Sequence, residues 1–309
     1  FRANKISVKY QRQDILNKLN ISLIDGKITA ILGPNGSGKS TLLKALSGLI
    51  PCHSGNILIN DQNISHINRT DLAKLLSILP QSPEAPADIT VSQLVSYGRY
   101  AYSSLFSKNK KEDHKQVKWA LAVTNLTELA ESFMHELSGG ERQRVWIAMS
   151  LAQNSNYLFL DEPTAGIDPI SRRSIWETLY ELANQGVALF VTTHYMEEAE
   201  RCSTIAFISR GKLLKIGTPN DLKHQISGKM LQVECRPLMK ASKIFSQIPG
   251  VLGLTVYGTT LNMNVTDLEK TKAIVHQKSK ENGIELIAMD AIAASLEDVF
   301  SLIDKERED

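Results

Sequence analysis

Gly33-Pro34-Asn35-Gly36-Ser37-Gly38-Lys39-Ser40-Thr41 fits the spacing G-x-x-x-x-G-K-[ST]. Residues of these types in this order can hold phosphate. The glycines let the backbone curl until successive N–H groups point inward at phosphate oxygens, and a helix starting inside the motif adds its positive N-terminal end. Lys39 supplies a full charge to β- and γ-phosphates, and Ser40 offers a hard hydroxyl oxygen to Mg2+. A second pattern, Tyr157-Leu158-Phe159-Leu160-Asp161-Glu162, is an apolar run ending in two carboxylates. Asp161 emerges where it can join the Mg2+ shell. Glu162 points elsewhere and can polarise a water in line with the γ-phosphate.

A third pattern is Leu137-Ser138-Gly139-Gly140-Glu141-Arg142-Gln143-Arg144, with Ser138 23 residues before Asp161. Ser-Gly-Gly opening a helix offers a hydroxyl, two exposed backbone donors and a helix dipole to an anion. The same residues also read as an N-cap followed by flexible glycines.

These groups need elements to position them. Lys5–Tyr10 alternates Ile6, Val8 and Tyr10 as a strand, and Lys27–Leu32 ends in a buried run. Leu42, Leu43, Leu46 and Leu49 lie on one side of a helix from Ser40. Gly55–Asn60 reads as a hairpin piece and Asp71–Leu76 as helical. Residues 82–137 are mostly helical and carry the charge run Lys108–Lys118, expected to be a solvated face. Helix 141–152, strand Tyr157–Leu160, helix 171–184 and strand Val187–Thr192 then alternate, which implies a largely parallel sheet with crossovers. Gly217-Thr218-Pro219 and the polar residues to Gly228 mark a boundary. Beyond it the order is βαββαβ, the ferredoxin-like α+β pattern. Its strands include Leu231/Val233/Cys235, Val251–Tyr257 and Leu261–Val265. Thr266-x-x-Glu269 is a capping box for a helix stopping near Gly283, and a last helix from Ser295 places Leu296, Val299, Phe300 and Ile303 on one face.

The chain has 309 residues, 35 Lys+Arg against 33 Asp+Glu, 42% hydrophobic and 22% charged residues. That length suits two domains, and that balance excludes a disordered chain. A net charge of +2 gives no support for nucleic-acid binding through a strong positive field. No apolar stretch approaches the roughly 18–20 residues of a membrane span. The N-terminus lacks the apolar core of a signal peptide, and its start at Phe1 suggests that a few residues are missing. Cys52, Cys202 and Cys235 are widely spaced and read as small hydrophobes of a reducing compartment.

Taken together, the three motifs resemble those of the ATP-binding cassette (ABC) transporter ATPases over residues 1–220. The family's other marks stand in order at Tyr10, Gln81, Ala165-Gly166-Ile167-Asp168 and His194. The resemblance implies an α/β fold, a P-loop NTPase cassette with a RecA-like core, an antiparallel β piece and a helical subdomain at about 82–137. Residues 221–309 would form the accessory domain. It further implies that Tyr10 stacks on adenine. Gln81 would approach Mg2+ and the water while reporting nucleotide state to the helical region. His194 would hydrogen-bond the γ-phosphate and hold the water that Glu162 activates, and Asp168 would lie at a dimer seam. Ser138, Gly139, Gly140 and Glu141 would cap, in trans, the ATP held by a second cassette in a head-to-tail dimer. The expected partners are that cassette and an integral-membrane permease docked on residues 82–137, with the chain peripheral on the inner face of the cell membrane. The resemblance divides on direction. Residues 76–126, with Leu79-Pro80-Gln81-Ser82-Pro83 and Val95-Ser96-Tyr97-Gly98-Arg99-Tyr100, look like siderophore and cobalamin importers. Residues 165–309, with Thr193-His194-Tyr195-Met196-Glu197-Glu198-Ala199-Glu200 and Ser295-Leu296-Glu297-Asp298-Val299-Phe300, look like drug and polysaccharide exporters, and a slight lean goes to export. A soluble ABC ATPase acting on ribosomes or DNA is the reading from a different class; those usually carry two cassettes in one chain.

Overall fold

Hydrophobic patterning sorts the chain into strands buried on both faces and strands buried on one. The computed structural model describes residues 1–11, 13–102, 110–224 and 228–305, and divides into two units, Phe1–Ile216 and Gly217–Asp309.

In the first unit the elements run β1 (Arg2–Tyr10), β2 (Gln13–Ser22), β3 (Ile28–Leu32), α1 (Lys39–Leu46), β4 (Ser54–Ile59), β5 (Gln62–Asn63), α2 (Arg69–Leu75), β6 (Leu76–Leu79), α3 (Val91–Ser96), α4 (Lys110–Val123) and α5 (Gly139–Ala152). They continue with β7 (Tyr157–Asp161), α6 (Pro169–Asn184), β8 (Ala188–Thr193), α7 (Met196–Ala199), β9 (Thr204–Ser209) and β10 (Lys212–Gly217). One sheet has the order β2-β1-β4-β5, with antiparallel pairings; the other has the order β10-β9-β3-β8-β7-β6, in which β9, β3, β8, β7 and β6 are parallel. Every residue of β3, β7 and β8 is buried, as a parallel sheet covered on both faces requires. Ile31, Phe159 and Phe190 pack in one core with Leu42, Leu43 and Leu46 of α1, which fixes that helix beneath the loop preceding it.

The structure corrects several boundaries. The segment expected to be helical to Leu76 breaks at Leu75, because Leu76–Leu79 pairs with Tyr157–Leu160 as the parallel edge strand. Helix α5 begins at Gly139, two residues before the expected start, and α6 begins at Pro169. Strand β2 lies within residues 1–32, a stretch that reads as short strands, whereas β9 and β10 carry little alternation and were not expected. Of the charge run Lys108–Lys118, residues 108 and 109 lie outside the described residues. Within the rest, Lys111, Glu112, His114, Lys115 and Lys118 are exposed, the solvated face expected, while Val117 is buried and Asp113 pairs with Arg99. Among the described residues no helix is long and apolar enough to cross a membrane.

The second unit comprises α8 (Pro219–His224), β11 (Lys229–Arg236), α9 (Leu238–Phe245), β12 (Val251–Tyr257), β13 (Thr260–Val265), α10 (Leu268–Asn282), β14 (Glu285–Ile292) and α11 (Leu296–Lys305). Its sheet order is β12-β13-β11-β14, all pairings antiparallel. Leu231, Val233, Leu261, Met263 and Val265 meet Phe245 and Val275 in a separate core. The expected capping box at Thr266 is displaced by one residue: Asp267 caps α10 by accepting from the Lys270 N–H, while Thr266 Oγ1 donates to the Gly250 carbonyl. Gly283 ends α10 with φ +63°, the left-handed closure that glycine tolerates. Leu296 and Val299 of α11 are buried as expected; the side chain of Ile303 lies outside those described. Cys202 and Cys235 are buried and Cys52 half-buried, all unpaired, and burial pushes each thiol above its usual range.

Candidate functional site

Strands β3, β8, β7 and β6 lie side by side, and their register aligns their carboxyl ends. Leu32 pairs with Thr193, Asp161 with Thr192, and Leu79 with Leu160. Gly33, His194, Glu162 and Gln81 therefore all leave the sheet along one edge, where open parallel sheets bind ligands.

The loop after β3 is shaped by what cannot fit. A Cβ at Gly33 would stand 2.1 Å from the Ile208 carbonyl oxygen. Gly38 holds φ +104°, and a Cβ there would meet Leu16 at 2.8 Å. Lys39 opens α1 and is only 6% exposed; its ammonium donates to the carbonyls of Gly33 at 2.9 Å and Pro34 at 3.3 Å. The buried Ser37 hydroxyl has no partner among the described residues. A curled loop with a cation across it and an unsatisfied hydroxyl beneath it fits an anionic phosphate chain. Ser40, second in α1, and Asp161 at the end of β7 carry hard oxygens of the kind a magnesium ion takes.

Glu162 is where the strands' contributions meet. Its backbone is left-handed, φ +49°, and is held there by its N–H donating to the carbonyl and the hydroxyl of Thr192 at 3.1 and 2.9 Å. Strained backbone of this kind persists where surrounding bonds over-determine it. The Glu162 carboxylate accepts from Gln81 Nε2 at 2.8 Å, lies 3.5 Å from His194 Nδ1 and 3.7 Å from Lys39 Nζ. Three residues 81, 32 and 123 positions away thus converge on one half-buried carboxylate. Asp161, 4% exposed, accepts from the Thr192 hydroxyl at 2.6 Å.

Ser138 caps α5. Its hydroxyl accepts from the Glu141 N–H at 3.3 Å, while the Glu141 carboxylate takes the Ser138 N–H at 2.8 Å and its hydroxyl at 2.7 Å. The hydroxyl first and the N–H second hold the Glu141 carboxyl below its usual range. The capping reading of this motif is thus realised. Gly139 is open, but Gly140 is not a flexible glycine: a Cβ there would lie 2.5 Å from Ser171 Oγ on α6. Asp168 caps α6 by accepting from the N–H groups of Ile170 and Ser171, and Ser171 lowers its carboxyl's pKa. Gly140 and Asp168 are neighbours, a virtual Cβ on the former lying 3.6 Å from Asp168 Oδ2. Among the described residues no hydrogen bond joins Ser138, Gly139, Gly140, Glu141 or Asp168 to the Lys39–Glu162 group, and none joins Tyr10, 48% exposed at the end of β1.

Two residues that shape the site were not anticipated. Thr192 bonds both Asp161 and the Glu162 backbone, and Glu198, 4% exposed, accepts from the hydroxyls of Thr164 and Thr193, both at 2.6 Å. A threonine at a strand end and a glutamate in an acidic run give no sequence sign of turning inward.

Residues 16–165 match the family described as ABC transporter, and residues 217–302 match the ATP-binding protein DrrA1-3-like C-terminal domain. The iron(3+)-hydroxamate import ATP-binding protein FhuC of Bacillus subtilis is 42% identical over 229 residues, 72% of this chain and 85% of that protein. The linearmycin resistance ATP-binding protein LnrL of the same organism is 30% identical over 305 residues, 97% of this chain and 96% of that protein. Among solved structures, cbiO1 from Clostridium perfringens, part of the ABC transporter complex cbiONQ, superposes with a TM-score of 0.66 at 29% identity, covering 72% of this chain and 90% of that one. With a phosphate loop, an acidic strand end and a capped Ser-Gly-Gly helix on this fold, the chain belongs to the ABC transporter ATP-binding proteins and is the ATPase subunit of such a transporter.

Proposed function

We propose that this chain works as a head-to-tail pair of cassettes that closes on ATP and drives a separate membrane permease in the direction of export. The observation that carries the catalytic reading is the convergence of Gln81, His194 and Lys39 on the Glu162 carboxylate. The loop Gly33–Thr41 takes the phosphates with its backbone N–H groups and Lys39. Glu162 accepts the proton of the attacking water, His194 holds the γ-phosphate side, and Gln81 ties Glu162 to the helical region. Ser40, Asp161 and Gln81 would hold Mg2+, which when bound neutralises charge on the β- and γ-phosphates. Tyr10 is proposed to stack on the adenine. Among the described residues, Ser138, Gly139, Gly140, Glu141 and Asp168 share no hydrogen bond with the Lys39–Glu162 group, which is compatible with their serving the nucleotide of a second copy.

A groove of about 910 Å³ between α3 and α4, lined by Tyr97, Arg99, Tyr100, His114 and Leu121, supports docking of the permease on the helical region. Arg99 braces it, donating to Asp113 and to the Ala152 carbonyl at the end of α5, both at 2.8 Å. Export is favoured because the relative matched over 97% of the chain is a resistance protein and the C-terminal unit has its own family match. The importer reading rests on cassette identity, 42% with FhuC over 229 residues. The near-neutral charge supports no nucleic-acid partner.

Glu162→Gln should bind ATP, accumulate as an ATP-bound dimer and lose about 10²–10⁴-fold in turnover; hydrolysis at the parent rate would remove Glu162 as the base. Reconstituted with the permease that co-purifies from membranes, ATP-driven flux away from the nucleotide side supports export, and flux toward it establishes import.

A further inference from the structure

Beyond the groups that face the nucleotide, one buried carboxylate joins two loops of the site. Glu198 Oε1 accepts from the Thr164 hydroxyl and Oε2 from the Thr193 hydroxyl, both at 2.6 Å. Thr164 opens the segment Ala165–Asp168, which ends at the cap of α6. Thr193 immediately precedes His194, and its oxygen also accepts the Tyr195 N–H at 3.0 Å. Arg172 completes the unit: its Nε lies 3.7 Å from Glu198 Oε1, its guanidinium donates to the Ile167 carbonyl at 3.3 Å, and it covers the Tyr195 ring at 4.3 Å. The Tyr195 ring in turn packs on the His194 ring, 4.1 Å between centroids. One carboxylate and one guanidinium therefore fix both the loop that carries His194 and the loop that carries Asp168.

We propose that Glu198 is a positioning residue: it locks the His194 loop to the Ala165–Asp168 loop, so that the placement of His194 against the γ-phosphate depends on the loop that faces the second cassette. Two O–H···O⁻ bonds at 2.6 Å are among the shorter and stronger protein hydrogen bonds. Their burial makes them directional constraints that a solvated carboxylate would not impose. This proposal rests on the reading of His194 and Glu162 given above.

Glu198→Gln keeps the side chain's size but loses the charge that faces Arg172 and can accept fully from only one hydroxyl. In the full chain it should lower kcat about 10–100-fold with the dissociation constant for a fluorescent ATP analogue unchanged. The same substitution placed in His194→Ala should change residual single-turnover hydrolysis less than about twofold, because the route through His194 is already cut. Thr164→Val and Thr193→Val, each removing one hydroxyl, should repeat the kcat effect and serve where Glu198→Gln does not fold. An unchanged kcat, a loss confined to ATP affinity, or equal loss with and without His194 would overturn the proposal. Failure of the underlying reading is separately visible, since Glu162→Gln would then retain turnover.

Discussion

Thr192→Val is the most direct test of how the site is built, because valine matches threonine in shape and removes only the hydroxyl. In the parent protein that hydroxyl donates to Asp161 Oδ1 at 2.6 Å and accepts the Glu162 N–H at 2.9 Å. A hydrogen bond to a buried charged group contributes about 1.5–3 kcal/mol. The second bond counts for less, because the Glu162 N–H keeps the Thr192 carbonyl at 3.1 Å. The expected cost is about 2–3 kcal/mol, or a fall in Tm of about 5–10 °C for a unit of this size. All three tryptophans, Trp119, Trp146 and Trp176, lie in the first unit, so thermal unfolding followed by tryptophan fluorescence reports that unit alone. Thr192→Ser, which keeps the hydroxyl, should recover most of the loss. A Tm fall under about 1 °C for the valine variant, or equal falls for valine and serine, would refute the assignment of the hydroxyl as the anchor of the Asp161 carboxylate and the Glu162 backbone.

The two glycines of the Ser-Gly-Gly helix should respond oppositely to alanine. Gly140→Ala forces a Cβ to 2.5 Å from Ser171 and should lower Tm, whereas Gly139→Ala meets nothing within 4 Å and should raise stability by about 0.5–1 kcal/mol; differential scanning calorimetry of the two decides it. The Glu141 carboxyl is held below its ordinary value of 4.5 by Ser138, so its contribution is fully present above that value and is lost as pH falls through the lowered folded one. The Tm difference between parent and Glu141→Gln should therefore shrink as the medium is acidified below pH 4.5, and a difference independent of pH would contradict the bond.

The glycine turn after β3, the acidic end of the apolar strand β7 and the alternation of strands and helices were legible in the sequence, because each is a local pattern: a turn that needs glycine, an apolar strand, a helix stripe. The C-terminal βαββαβ order was legible for the same reason. Strand β6 was not, since Leu76-Ser77-Ile78-Leu79 is four residues long and is made a strand by pairing with β7. The threonine cap expected at Thr266 went to Asp267, because the Thr266 hydroxyl is used on Gly250 across the turn.

The sequence by itself determined which residues could carry phosphate chemistry and the order of elements that present them. Only the tertiary structure decided that Gln81, His194 and Lys39 converge on Glu162, and that Thr192 and Glu198 turn inward to hold the loops. The physical reason is sheet register. Aligning Leu32 with Thr193 and Asp161 with Thr192 brings the ends of three strands distant in sequence to one edge, and no spacing along a single chain encodes that alignment.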